Sequence, residues 1–174
     1  MTTLNEIKEY LADMLCDETK VFESPDYASA FIGLTNGDKA VYDYDRMVDW
    51  VKEHWAMTDD EARRAVECDK VLAGLHDGPE IVHMIPGLDD ADDIANYLCD
   101  VGCDGAIIFV SPDYASAFAG VTVDGRAVYD YNLMVSWLMT EWSMSFDSAC
   151  DYIDYNISYN PERGPVVLYP ALYI

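Results

Sequence analysis

Carboxylates recur in pairs 87 residues apart, Asp26 with Asp113 and Asp43 with Asp130. Two carboxyl groups at close range are what a retaining glycosidase needs, one as nucleophile and one as acid–base. Here the partners sit in two copies of one repeated stretch, and no insertion supplies a cleft, so the identities argue for a preserved fold before a shared active site. Asp26 and Asp113 follow Ser-Pro, where an aspartate closes a turn through its own backbone. Asp43 and Asp130 lie between tyrosines on a predicted strand. Alternation there sends Tyr42 and Tyr44 to one face and Asp43 to the other, giving an aromatic face and an acidic one.

Other chemistry is thinly supplied. His54, His76 and His83 are the three histidines, and none recurs in the other copy; Glu141 stands opposite His54, and Tyr169 approximately opposite His83. Cys16, Cys68, Cys99, Cys103 and Cys150 contain no C-x-x-C pair, which predicts reduced thiols and no zinc site. Walker A, G-x-G-x-x-G, G-x-S-x-G and H-E-x-x-H patterns are absent. Asp89, Asp90, Asp92 and Asp93 invite a calcium reading, yet they lack the alternating ligands, the Gly and the closing Glu of an EF-hand. They enter a helix instead, where the macrodipole favours acids. No metal or cofactor is expected.

The elements that position these groups come twice. Ser24–Trp50 and Ser111–Trp137 agree at 18 of 27 positions with no gap, which makes the chain a tandem duplication of residues 1–87 and 88–174. Thr3-Leu4-Asn5-Glu6 is a capping box, with Ile7, Tyr10, Leu11 and Met14 at helical spacing; Ile94, Tyr97, Leu98 and Val101 match them. Three strands are predicted next, over 20–23, 28–35 and 40–44, matched by 107–110, 115–122 and 127–131. Gly33 and Gly120 mark a bulge or close backbone approach. The hairpin tips, Asn36-Gly37 and Asp124-Gly125, place Gly one position apart, which predicts different tip conformations.

Asp45 and Asn132 are the expected caps of a helix whose buried stripe is Met47, Trp50, Val51 and Trp55, or Met134, Trp137, Leu138 and Trp142. A second helix follows Thr58-Asp59-Asp60-Glu61, another capping box, and Ser145, with Phe146, Ala149, Cys150 and Ile153 as the later stripe. Apolar runs at 81–85 and 166–169 close each copy. The order α-β-β-β-α-α-β, twice, predicts an α+β fold with antiparallel sheets covered by helices on one face. The short joint between copies predicts a pseudo-two-fold arrangement like a fused homodimer.

Charge is the loudest compositional fact. Ten basic residues face 33 acidic ones, for a net −23, divided −11 and −12 between the copies. Such a chain repels nucleic acid and anionic membrane and is steered towards basic surfaces. About half the residues are hydrophobic, enough for a substantial core, and no apolar run reaches the roughly 18 residues of a membrane span. The first residues show no basic or apolar leader pattern, so a cytoplasmic location is expected.

With Ser-Pro-Asp-Tyr, Ala-Val-Tyr-Asp-Tyr and Met-Val in each copy, the chain resembles a group of small acidic proteins of phages and mobile elements of gut bacteria, mostly of unknown function. A Tyr-Asn pair followed by Pro-Tyr is usual there; copy two has Tyr155-Asn156 and Tyr169-Pro170, whereas copy one has Cys68-Asp69. The setting is similar to that of anti-CRISPR inhibitors. The resemblance implies a non-enzymatic acidic inhibitor of a basic nucleic-acid-handling protein, with a CRISPR nuclease as the candidate partner, because such nucleases hold nucleic acid in a positive channel. The expected contact residues are Asp26, Tyr27, Asp43, Asp45, Asp89, Asp90, Asp92, Asp93, Asp113, Tyr114 and Asp130. A self-associating structural protein and an unrecognised small-molecule enzyme are the rival readings.

Overall fold

The computed structural model describes residues 2–75, 78–85, 87–157 and 164–171, and of 71–75 the backbone only. His76 and Pro86 lie outside the described residues. The fold is α+β, and its described elements are six helices and six strands of mixed direction. Two compact units are present: Met1–Met84 with Ala171–Ile174, and Ile85–Pro170.

The first unit runs α1 (Leu4–Asp13), a 3₁₀ turn (Ala28–Ala30), β1 (Phe31–Thr35), β2 (Ala40–Asp43), α2 (Tyr44–Trp55), α3 (Asp59–Leu75) and β3 (Glu80–Met84). The second runs α4 (Ala91–Asp100), a 3₁₀ turn (Ala115–Ala117), β4 (Phe118–Thr122), β5 (Ala127–Asp130), α5 (Tyr131–Glu141), α6 (Phe146–Ile157) and β6 (Val166–Pro170). Both capping boxes form: Thr3 N–H and Thr58 N–H donate to Glu6 and Glu61 at 2.7 and 3.0 Å, and the glutamate N–H groups return to the threonine hydroxyls.

Three expectations about the sheet need correction. Residues 20–23 and 107–110 are not strands. Phe22 and Phe109 turn their rings onto Tyr42 and Tyr129, at 5.0 and 4.9 Å, and their N–H groups go to those tyrosine hydroxyls at 3.4 and 3.2 Å. The next strand begins only at Phe31 or Phe118, after the 3₁₀ turn. The sheets are also mixed rather than antiparallel: β1 pairs antiparallel with β2, but β2 pairs parallel with β3, and β4, β5 and β6 repeat this. Two helices separate β2 from β3, and a crossover of that length returns the chain in the parallel sense.

Gly33 and Gly120 do mark bulges, with register shifts after Phe31 and Phe118 and φ of 150° and 154°, a backbone few other residues adopt. The hairpin tips are alike, not different. Asp38 (φ 57°) and Gly125 (φ 86°) occupy the same left-handed position, and each N–H donates to Thr35 or Thr122 O at 3.0 Å. An aspartate tolerates the left-handed region better than most residues, so it stands where the other copy uses glycine.

The cores repeat. Ile7, Met47, Val51, Ala62, Val66 and Ile81 are buried in the first unit, and Ile94, Met134, Leu138, Ala149, Ile153 and Val167 in the second. Each large apolar side chain so buried contributes roughly 1.5–3 kcal/mol. The predicted stripes overreach at helix ends. Met14, Val101, Trp55, Trp142 and Phe146 are all at least two-fifths exposed, because each stands at or beyond a helix terminus, where the next turn that would cover it is missing.

Candidate functional site

Most of the paired aspartates act on their own backbone. Asp26 Oδ1 and Asp113 Oδ1 accept from Ala28 and Ala115 N–H at 3.3 and 3.0 Å, closing the turns that start the 3₁₀ segments. Asp43 and Asp130, not Asp45 and Asn132, cap α2 and α5. Asp43 Oδ1 accepts from Asp45 and Arg46 N–H at 2.9 and 3.2 Å, and Asp130 Oδ1 from Leu133 N–H at 3.1 Å. Tyr44 and Tyr131 therefore already belong to helices, and the expected division into an aromatic and an acidic strand face stops at Asp43 and Asp130.

Asp43 is buried, with Arg46 Nε 3.5 Å from Oδ2. Asp130 has Leu133 where Arg46 would be, and burial holds its carboxyl above the ordinary carboxylate range against the opposing pull of the Leu133 N–H.

Tyr27 and Tyr114 do not offer contact area. They are 0% and 2% exposed, packed edge-on against Trp50 and Trp137 at 5.3 and 5.4 Å, so both are core residues. Tyr27 donates its hydroxyl to Asp69 at 2.5 Å, and burial first, then Asp69, pushes its ionisation up. Asn156 stands at the position of Asp69 and turns to Tyr152 O at 2.7 Å. Burial likewise lifts Tyr129 to about 12.

The remaining expected residues are at the surface. Asp45 is exposed, 3.7 Å from Arg63 Nη1, and a pair so exposed is worth about 0–1 kcal/mol. Asp89, Asp90, Asp92 and Asp93 are all exposed; Asp90 caps α4 by accepting from Asp92 N–H at 2.7 Å. The carboxylates thus divide into fixed acceptors in turns and caps, and solvated charges at helix starts.

The most chemically diverse cluster went unpredicted. In the first unit His83 of β3 lies 4.4 Å from the Tyr44 ring, and Lys70 Nζ of α3 stands 5.9 Å over the same ring. Lys70 also pairs with Glu67 at 3.4 Å, and Arg63 with Asp59 at 2.8 Å. Burial, then Lys70, pushes His83 below its ordinary value, while Asp45, Glu67 and Asp43 oppose. Burial, then Glu67, lifts Tyr44.

In the second unit Tyr131 stacks on Tyr169 at 4.6 Å, with burial, then a hydrogen bond to Cys150, pushing Tyr131 up. Register makes the equivalence firm, since Asp43 pairs with Val82 and Asp130 with Leu168, placing His83 and Tyr169 one residue further on. The signal in sequence was a non-recurring histidine, which a search for repeated residues passes over.

The second missed feature is aromatic. Tyr27–Trp50–Trp55 and Tyr114–Trp137–Trp142 are chains of edge-on rings that lead from the core to a tryptophan 46% or 45% exposed. His54 stacks on Trp50 at 4.1 Å, and Tyr152 extends the second chain 5.4 Å from Trp142. Among the described residues no three of His, Cys, Asp or Glu gather as metal ligands, and no helix is long and apolar enough to cross a membrane. No family model, no curated protein and no solved structure matches the chain.

Proposed function

We propose that this chain is a non-enzymatic acidic inhibitor that binds a basic nucleic-acid-handling protein, a CRISPR nuclease being the candidate, by taking the place of phosphates in its positive channel. One observation carries the reading. Among the described residues of the second unit, thirteen acids face a single base, Arg126, which is held 2.9 Å from Asp124 of its own turn. No internal neutralisation on that scale is available to them, so the unit presents a negative field to any partner. The first unit supplies more of its own counter-charge, through Arg46, Lys52, Arg63 and Lys70.

Of the expected contact residues, Asp45, Asp89, Asp90, Asp92, Asp93 and Asp113 are exposed and best placed to meet a cation; Asp26, Asp43 and Asp130 hold turns and caps and add to the field from there. A rigid scaffold of carboxylates competes with nucleic acid because both set negative charges against the same Lys and Arg side chains, an interaction that salt weakens. The test is a gel-shift competition in which a purified basic nuclease holds labelled nucleic acid and the chain is titrated in. Displacement at about 0.1 M salt that fades at about 0.5 M supports the reading. Undisturbed nucleic-acid complexes, with the chain running as a large self-complex, favour an assembly protein instead.

A further inference from the structure

The duplication supplies its own comparison for where a basic partner docks, because the two copies differ in the charges on one helix pair. In the first unit the helix pair α2–α3 carries five basic residues, Arg46, Lys52, Arg63, Arg64 and Lys70. At the equivalent positions of α5–α6 stand Leu133, Met139, Cys150, Asp151 and Ile157, and the second pair holds no basic residue at all. Every cation of the pair has been lost; of its acids, Asp147 and Asp154 stand where Asp60 and Glu67 do, and Glu141 and Asp151 replace His54 and Arg64.

Aromatic surface has been gained in the same place. Tyr152 and Tyr155 replace Ala65 and Cys68. Tyr152 packs its ring 5.4 Å from the exposed Trp142, and Tyr155, three residues on and so on the neighbouring helical position, is 80% exposed. Asp147 and Asp151 form the adjoining i, i+4 stripe of α6, and both are exposed.

A ring face beside carboxylates is the arrangement that receives a guanidinium, which stacks on the ring while its N–H groups reach the oxygens. Lysine fits the charge but not the stack, since a compact ammonium offers no flat face to the ring.

We infer that the α5–α6 face of the second unit, built on Trp142, Tyr152 and Tyr155 with Asp147 and Asp151 beside them, is a docking surface for an arginine-rich segment of the basic partner. This rests on the proposed function and names its contact face. It also shifts the weight of recognition towards Asp151, Tyr152 and Tyr155, which the first unit lacks.

The test uses the full chain, a fluorescently labelled octa-arginine peptide and its octa-lysine counterpart, at about 0.1 M salt. Heteronuclear NMR follows the four indole N–H signals during each titration. The expected result is a shift of the Trp142 signal that exceeds that of Trp55 and is larger for arginine than for lysine. Converting the face to the first unit's residues, by Asp151→Arg with Tyr152→Ala, weakens octa-arginine binding about tenfold, as loss of a ring contact and reversal of one charge predict.

Tyr155→Ala, at a position too exposed to affect folding, weakens it in the same direction by a smaller factor. Equal shifts at Trp55 and Trp142, or unchanged affinity in both variants, overturn the assignment of the face. In that outcome, displacement of nucleic acid from the nuclease by these variants leaves the acidic-inhibitor reading standing. Failure of the wild-type chain to bind either peptide removes both.

Discussion

Replacing Asp130 by asparagine or by alanine separates two effects that the carboxylate combines. As the N-cap of α5 it accepts from Leu133 N–H at 3.1 Å, and loss of such an acceptor costs about 1 kcal/mol, within a range of 0.5–2. Burial, however, raises its pKa above the ordinary value. A carboxyl whose folded pKa is raised binds its proton more tightly when folded, so stability is lost as pH rises from the unfolded value through the folded one. At neutral pH the charge therefore works against the fold while the acceptor works for it.

Asparagine keeps the acceptor and removes the charge. Asp130→Asn is expected to be at least as stable as the wild type at pH 7, and to lose that advantage near pH 3, where the wild-type carboxyl is also neutral. Asp130→Ala is expected to be less stable by about 1 kcal/mol near pH 3, and by less at pH 7, where removing the charge offsets part of the lost cap. Urea denaturation followed by tryptophan fluorescence at pH 7 and pH 3 reads all three. If Asp130→Asn falls as far as Asp130→Ala at pH 7, the cap assignment or the sign of the burial effect is wrong.

Leu133→Arg restores the partner that Asp43 has in Arg46, and should stabilise the second unit at pH 7 by up to about 1 kcal/mol, an advantage that 1 M salt removes in the same denaturation assay. Ala56 closes α2 with φ 50°, in the left-handed region glycine adopts freely, so Ala56→Gly should raise the urea midpoint by the equivalent of about 1 kcal/mol; a lower midpoint contradicts the assigned backbone. His83, held below its ordinary value, resists protonation in the folded chain, so stability should fall as pH drops from about 6.5 towards the lower folded value. His83→Tyr, the residue the second unit uses, should flatten that dependence between pH 7.5 and 5.5, and an unchanged slope assigns it to other groups.

The duplication, both threonine capping boxes, the two glycine bulges and the repeated cores were legible in sequence because each rests on local identity or on helical and strand spacing. What failed needed tertiary information. Residues 20–23 and 107–110 have strand-like composition, but their backbone is taken by the Tyr42 and Tyr129 hydroxyls instead of a ladder. Parallel pairing of β3 and β6 depends on where a two-helix crossover returns, which apolar runs do not encode. Trp55 and Trp142 obey helical spacing and yet emerge at helix ends.

The candidate site was harder for a related reason. Identity between copies drew attention to Asp26, Asp43, Asp113 and Asp130, and identity here marked turns and caps. Tyr27 and Tyr114 recur because they pack, not because they bind. The residues that distinguish the units, His83 and Lys70 against the Tyr44 ring in one and Tyr152 against Trp142 in the other, are differences between copies.

The proposed recognition of a basic nucleic-acid-handling protein rests on charge. Its most direct measurement is capture on the immobilised chain from a lysate containing CRISPR nucleases, followed by elution with a salt step from about 0.1 M to about 0.5 M. A basic nucleic-acid enzyme should be retained at the lower salt, released at the higher, and inhibited when the purified pair is recombined. Retention of no basic protein, or of one that stays bound through the salt step and remains fully active with the chain in excess, would contradict it.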